Sequence, residues 1–266
     1  MAYEWELREQ GPADAAHTVL LLPGGMCSAG SFAELMAEPA LAGMRLVAAT
    51  LPAQAGAPPP DDYSVENYAR LTSELAKRLG ADILIGFSMG AVVAVEMVVS
   101  GAFTGPVVLL GVSLSTKDEP AFFRALIRLG SVLGSVPASL LKKGAASMIK
   151  RIPASPERHA ELREDFRRNV PREVQQTLRE YLQWLRRGDG RADRLCEAGV
   201  PAWIVHAEKG DGGLTDEERR TLEACPHAHL VTIPGHVFFL PNEVPEPIAA
   251  VVLEAAATTA PSPSGL

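Results

Sequence analysis

Positive charge is in short supply. The 25 Lys and Arg residues stand against 32 Asp and Glu, a formal charge of −7. That balance argues against a general nucleic-acid binder, which needs a basic face. Cysteine is scarcer still, with three residues (Cys27, Cys196 and Cys225) in a chain of 266. Three cysteines this scattered suggest neither a disulfide framework nor a Cys-rich zinc site. The six histidines form no HExxH, and their only near neighbours are His227 and His229. No apolar run reaches the roughly 18 residues that a membrane helix requires. The opening MAYEWE is charged where a signal peptide has its apolar stretch. Together these absences lead us to expect a soluble cytoplasmic protein with no nucleic-acid partner and no membrane insertion.

Apolar residues are plentiful. They make up 47% of the chain against 21% charged, enough for a large core and too many for wholesale disorder. Short apolar runs alternate with helical patterns, which is the βαβ signature of a parallel sheet. Residues 3–9 alternate in polarity and suit an edge strand. The runs at 17–23 (HTVLLLP), 45–51 (RLVAATL), 82–87 (DILIGF), 106–112 (PVVLLGV), 202–207 (AWIVHA) and 228–233 (AHLVTI) fit strands covered on both faces.

Helix signals lie between the runs. Ser64 is placed to cap a helix that ends at Gly80, and Thr215 with Glu218 reads as a capping box. MGAVVAVEMVV after Ser88 is apolar on nearly every face, as a helix buried against a sheet would be. Between 115 and 195 the strand runs stop and helical patterns take over, with Pro120, Pro156 and Pro171 at first-turn positions. The expected architecture is α/β: a mostly parallel central sheet flanked by helices, with an inserted helical lid. The core would span 1–114 and 196–258, the cap 115–195 and a flexible tail 259–266.

The strongest chemical signal is Gly86-Phe87-Ser88-Met89-Gly90, a G-x-S-x-G that follows an apolar strand run and opens a helix. A serine on so tight a strand-to-helix turn is lifted above the sheet, and small residues two positions away let the turn close. A serine hydroxyl needs a base to become a nucleophile. His236, after the run 228–233, lies at the C-terminal edge of the sheet, where ligands gather. His17, His227 and His229 begin strands at the other edge, and His206 sits within an apolar run. The base in turn needs a carboxylate. Glu208 and Asp211 both follow the run 202–207, and Asp211, past Gly210 in a turn, is favoured. Oxyanion donors are expected from the backbone N–H of Met89 and from the loop PGGMCS, at Gly25, with Met26 in reserve.

The segments LLLPGGMCSAGSF, DILIGFSMGAVVAVEMV, AWIVHAEKGD and IPGHVFFLPNEVPEPIAAVV carry a resemblance to the α/β-hydrolase superfamily over almost the whole chain. The resemblance implies a Ser–His–Asp triad in chain order Ser88, Asp211, His236, and a helical cap over the site. The chain departs from the family pattern in three places. PGG replaces the commoner His-Gly pair, and LPAQAGAPPP lacks the usual Pro-Gly-His-Gly. The acid usually falls three residues after a glycine; that glycine is Ala207 here, so Asp211 implies a shift of one residue. The elbow serine excludes the branches that use an aspartate nucleophile.

The expected activity is hydrolysis of a carboxylic ester through an acyl-enzyme, on a small-molecule ester or thioester, without cofactor or metal. A biosynthetic thioesterase or acyltransferase, a lactonase or C–C bond hydrolase, and a ligand-binding protein that kept the pocket without turnover are the alternatives. Between positions 142 and 194, 14 basic residues face 8 acidic ones, against 11 and 24 elsewhere. A basic lid over an acidic body would attract an anionic substrate, or simply pair with the body.

Overall fold

The computed structural model describes residues 3–118, 149, 155–188, 190–209, 213–237 and 239–259, with the side chain of His236 excepted. Seven strands form one sheet: β1 (Leu7–Gln10), β2 (Thr18–Leu22), β3 (Arg45–Ala49), β4 (Ile83–Phe87), β5 (Val107–Leu110), β6 (Ala202–Lys209) and β7 (Ala228–His236). Their order is β1-β3-β2-β4-β5-β6-β7. β1 runs antiparallel to β3, and every other pairing is parallel. The edge strand is shorter than its alternating sequence suggested and begins at Leu7. The sequence-based expectation of a mostly parallel sheet flanked by helices holds.

The inner strands β2 to β6 are apolar on both faces because both faces are covered, whereas the edge strands β1 and β7 leave residues such as Glu9, His229 and Thr232 exposed. Along β2, Val19 and Leu21 enter one core, and Leu20 and Leu22 enter the other. The core around Leu20 and Leu22 receives α1 (Val65–Leu79) and α2 (Met89–Val99). Ser64 caps α1 by accepting the Asn67 N–H, and Gly80 ends it in the left-handed conformation at φ 66°. The opposite core takes the one-turn helix Ala33–Met36 and the C-terminal helix Pro245–Ala256.

Within the expected cap, the described residues include α3 (Pro156–Arg168) and α4 (Pro171–Arg186). Pro156 and Pro171 stand in their first turns, as expected; Pro120 and nearly all of 119–154 lie outside the described residues. Both helices are docked. Leu162 and Phe166 of α3 join one core, and Tyr181, Trp184 and Leu185 of α4 join the other. Arg158 pairs with Glu34, Arg168 with Glu6 and Arg187 with Glu66, so positive cap residues do meet an acidic body.

α5 (Arg191–Glu197) and α6 (Asp216–Glu223) return the chain to the sheet, α6 opening on the expected capping box of Thr215 and Glu218. They also correct the reading of the cysteines. Cys196 on α5 and Cys225 just past α6 are 29 residues apart, yet their Cα atoms lie 5.7 Å apart and the sulfurs are bonded. Cys27 is free and buried. Among the described residues no helix is long and apolar enough to cross a membrane.

Candidate active site

The chain leaves β2 toward β3 on one side, then returns to form β4 on the other side of β2. The loops after β2 and β4 therefore part from each other at the C-terminal edge of the sheet, and such a parting opens a crevice. Both glycine-rich segments fall there: Gly24-Gly25 after β2 and the Ser88 turn after β4.

Ser88 sits at φ 49° and ψ −111°, between the end of β4 and the first residue of α2. This region is costly for any residue with a Cβ, by about 1–3 kcal/mol. Its surroundings hold it there. The Ser88 N–H donates to Leu110 O at 2.8 Å, and the Ser88 carbonyl accepts Val92 N–H at 3.1 Å. The flanking glycines are required by contact. A Cβ on Gly86 would lie 2.5 Å from Ala91 Cα, and one on Gly90 would lie 2.1 Å from Leu22 O.

The loop after β2 lies against this turn. A Cβ on Gly24 would be 3.5 Å from Ser88 Cβ, and one on Gly25 would be 3.7 Å from Met89 Sδ. Ser88, Met89 and Gly25 are thus brought together. The reserve donor is not free: the Met26 N–H donates to Gln54 Oε1 at 2.7 Å.

His236 is the last residue of β7 rather than a loop residue. Both strands run further than their apolar runs suggested, because β6 continues to Lys209 past an irregularity after Ala207 and pairs Lys209 with His236. The Val237 N–H donates to Lys209 O at 3.0 Å. The chain beyond β7 returns to the elbow, where the Phe239 ring centroid lies 6.0 Å from that of Phe87, the residue before Ser88.

Glu208 is exposed, and its Oε2 accepts the Gly235 N–H at 3.0 Å. The bulge turns this carboxylate toward the end of β7, which strand alternation alone did not settle. Asp211 lies outside the described residues.

Three buried polar residues went unnoticed in the sequence, two of them in contact with the loop after β2. Gln54 and Asn169 are buried, at 1% and 3% exposure. Asp118, at the root of the expected cap, is also buried. Its Oδ2 accepts the N–H groups of Leu114 and Ser115, and its Oδ1 accepts that of Thr215. Burial and a hydrogen bond to the Glu218 carboxylate push the Asp118 carboxyl up to about 7. Nothing in local sequence marks Gln54 and Asn169 as neighbours of Met26, which lies 28 and 143 residues away, and the Thr215 partner of Asp118 lies 97 residues away. Among the described residues, no group of three or more His, Cys, Asp or Glu is placed to hold a metal ion.

A model of the alpha/beta hydrolase family matches residues 19–251. A search of curated proteins finds no match. Among solved structures, a thioesterase domain from the curacin biosynthetic pathway is similar at 17% identity and a TM-score of 0.68, over 96% of this chain and 100% of its own. A thermophilic esterase from Thermogutta terrifontis, with malate bound, aligns at 18% identity and a TM-score of 0.69, over 96% and 93% of the two chains. A serine hydrolase involved in carbazole degradation aligns at 16% identity and a TM-score of 0.69, over 96% and 95%. Likeness at such identities speaks for the fold alone.

Proposed function

The chain belongs to the alpha/beta hydrolase family, and from that premise we propose that it is a serine hydrolase that cleaves a carboxylic ester or thioester. The observation that carries this reading is the backbone of Ser88 at φ 49° and ψ −111°, held beside Gly24 and Gly25 at the parting of β2 and β4. Strain of this kind persists only where the surroundings impose it, and it collects at sites of chemistry.

In the proposed mechanism Ser88 Oγ attacks the carbonyl carbon while His236 takes its proton. The oxygen that gains charge accepts hydrogen bonds from the N–H groups of Gly25 and Met89. The tetrahedral intermediate collapses, and the departing alcohol or thiol takes the proton from His236. A water molecule, deprotonated by His236, then releases the acid and restores Ser88. Asp211 holds the histidine in the required tautomer and offsets its charge. The reaction needs no cofactor and no metal. The segment 115–195 acts as a cap that shapes the acyl pocket.

The test is labelling with a fluorophosphonate probe, paired with hydrolysis of p-nitrophenyl esters and acyl thioesters of graded chain length. Wild-type protein is expected to be labelled at Ser88. Ser88→Ala is expected to lose labelling and to lose turnover by about 10³- to 10⁶-fold. Ester and thioester hydrolysis unchanged in pure Ser88→Ala protein would sink the proposal. A wild-type protein that is not labelled and turns over no substrate in the panel would point to a binding protein on this fold.

A further inference from the structure

Residues 24–27 form a tight turn in which the Cys27 N–H donates to Gly24 O at 3.2 Å. Its third residue, Met26, has φ 66°. This is the pattern of a type II turn, whose third position favours glycine. A side chain there is disfavoured, because its Cβ crowds the following carbonyl oxygen. A type I turn would spare Met26 that crowding by rotating the Gly25–Met26 peptide, exchanging the sides on which its N–H and C=O lie. That peptide is joined to Gly25, beside Met89 and Ser88, so its orientation decides what the loop offers to a substrate oxygen.

Two buried amides hold the turn. Gln54 Oε1 accepts the Met26 N–H at 2.7 Å, and Asn169 Nδ2 donates to Met26 O at 2.9 Å. The peptide units on both sides of Met26 are thereby pinned. Both amides are themselves anchored. Gln54 Nε2 reaches Pro52 O and Thr177 Oγ1, each at 3.3 Å, and Thr177 Oγ1 lies 3.2 Å from the Tyr68 hydroxyl. Asn169 Oδ1 accepts the Ala55 N–H at 2.9 Å, and its Nδ2 also reaches Asp165 O. The loop that carries Gln54 is strained as well: Ala53 and Ala55 have φ 60° and 45°.

Asn169 and Thr177 belong to the cap segment, at the end of α3 and within α4. We propose that Gln54 and Asn169 are positioning residues that lock the Gly24–Cys27 turn in its left-handed form, so that docking of the cap fixes the side taken by the Gly25 carbonyl, next to the Gly25 N–H that meets the substrate oxygen. This rests on the serine-hydrolase reading above, with Gly25 as a donor.

The test compares Gln54→Met, which keeps the shape and removes the acceptor, with Gln54→Glu, which keeps an oxygen for the Met26 N–H. Both are measured for kcat, KM, melting temperature and the second-order rate of fluorophosphonate labelling. Gln54→Met is expected to lower kcat and the labelling rate by about 10²-fold, as a misplaced catalytic group does, with KM changed only a few-fold. Gln54→Glu is expected to restore most of the loss. Asn169→Asp, which sets an oxygen against Met26 O, should resemble Gln54→Met.

A second arm keeps the inference testable if Gln54→Met folds poorly. Met26→Gly accepts the left-handed conformation without cost. In that background the kcat penalty of Gln54→Met or Asn169→Asp is expected to shrink severalfold. Wild-type kcat and labelling in Gln54→Met at a lowered melting temperature would overturn the inference and leave Gln54 a purely structural residue. So would penalties that Met26→Gly leaves untouched. Absence of Ser88 labelling in the wild-type protein would instead remove the serine-hydrolase reading, and the positioning role with it.

Discussion

Gly90 meets the carbonyl of Leu22 so closely that a Cβ on Gly90 would stand 2.1 Å from that oxygen. The first turn of α2 thus rests directly on the end of β2, and this contact brings the Ser88 turn beside Gly24 and Gly25. Backbone on both sides leaves nothing flexible to yield. Gly90→Ala is therefore expected to destabilise the protein by more than about 3 kcal/mol, as severe overpacking does. Urea denaturation or soluble yield checks it, and near-wild-type stability would contradict the close approach.

Backbone strain at Ser88 has its own signature. Ser88→Ala keeps a Cβ at φ 49° and should change stability little. Ser88→Gly removes the restriction and should raise stability by about 1 kcal/mol, despite the entropy glycine loses on folding. Both variants should be inactive. Equal melting temperatures for the two would argue against strain at this residue.

The acid is tested by a pair of amides. Asp211→Asn should favour the wrong histidine tautomer and cut kcat by up to about 10⁴-fold. Glu208→Gln keeps an oxygen for the Gly235 N–H, which Glu208 Oε2 accepts at 3.0 Å, and should cost only a few-fold. The opposite ranking in steady-state kinetics would transfer the role to Glu208.

Asp118 should make stability depend on pH. In the unfolded chain an aspartate ionises near pH 4, whereas in the fold burial and Glu218 push Asp118 up to about 7. Between those values the folded protein holds a proton that the unfolded chain has released, so this group's contribution falls as pH rises. Burial alone would raise Glu218, but hydrogen bonds from Asp118 and Thr215 outweigh it and shift the carboxyl downward, so its contribution is lost only below the ordinary glutamate range. Asp118→Asn mimics the protonated acid at every pH. Its stability relative to wild type should therefore improve steadily from about pH 4 to about pH 7. A difference that stays flat across this range in thermal melts would contradict the shift.

Much of the fold was legible in the sequence because short-range patterns encode it. Apolar runs with no alternation mark strands covered on both faces, and Ser64, Gly80, Thr215 and Glu218 mark helix ends through bonds that close within a few residues. The elbow was legible for the same reason: strand, serine, flanking glycines and helix are contiguous. Chain order also carried the pairing of Gly25 with Met89, since parallel strands bring their following loops to one edge.

Tertiary structure decided whatever depends on partners far apart in the chain. The Asn169 bond to Met26 spans 143 residues, and no local pattern announces it. Cys196 and Cys225 became neighbours only through the packing of α5 against α6. The extension of β7 to His236 required β6 to continue alongside it, past a bulge that sequence does not display. Met26 and Ser88 take conformations that their own residue types disfavour, and only the surrounding contacts keep them there. Local sequence sets what each segment prefers; long-range packing sets which preferences are overruled, and in this protein those are the residues around the candidate nucleophile.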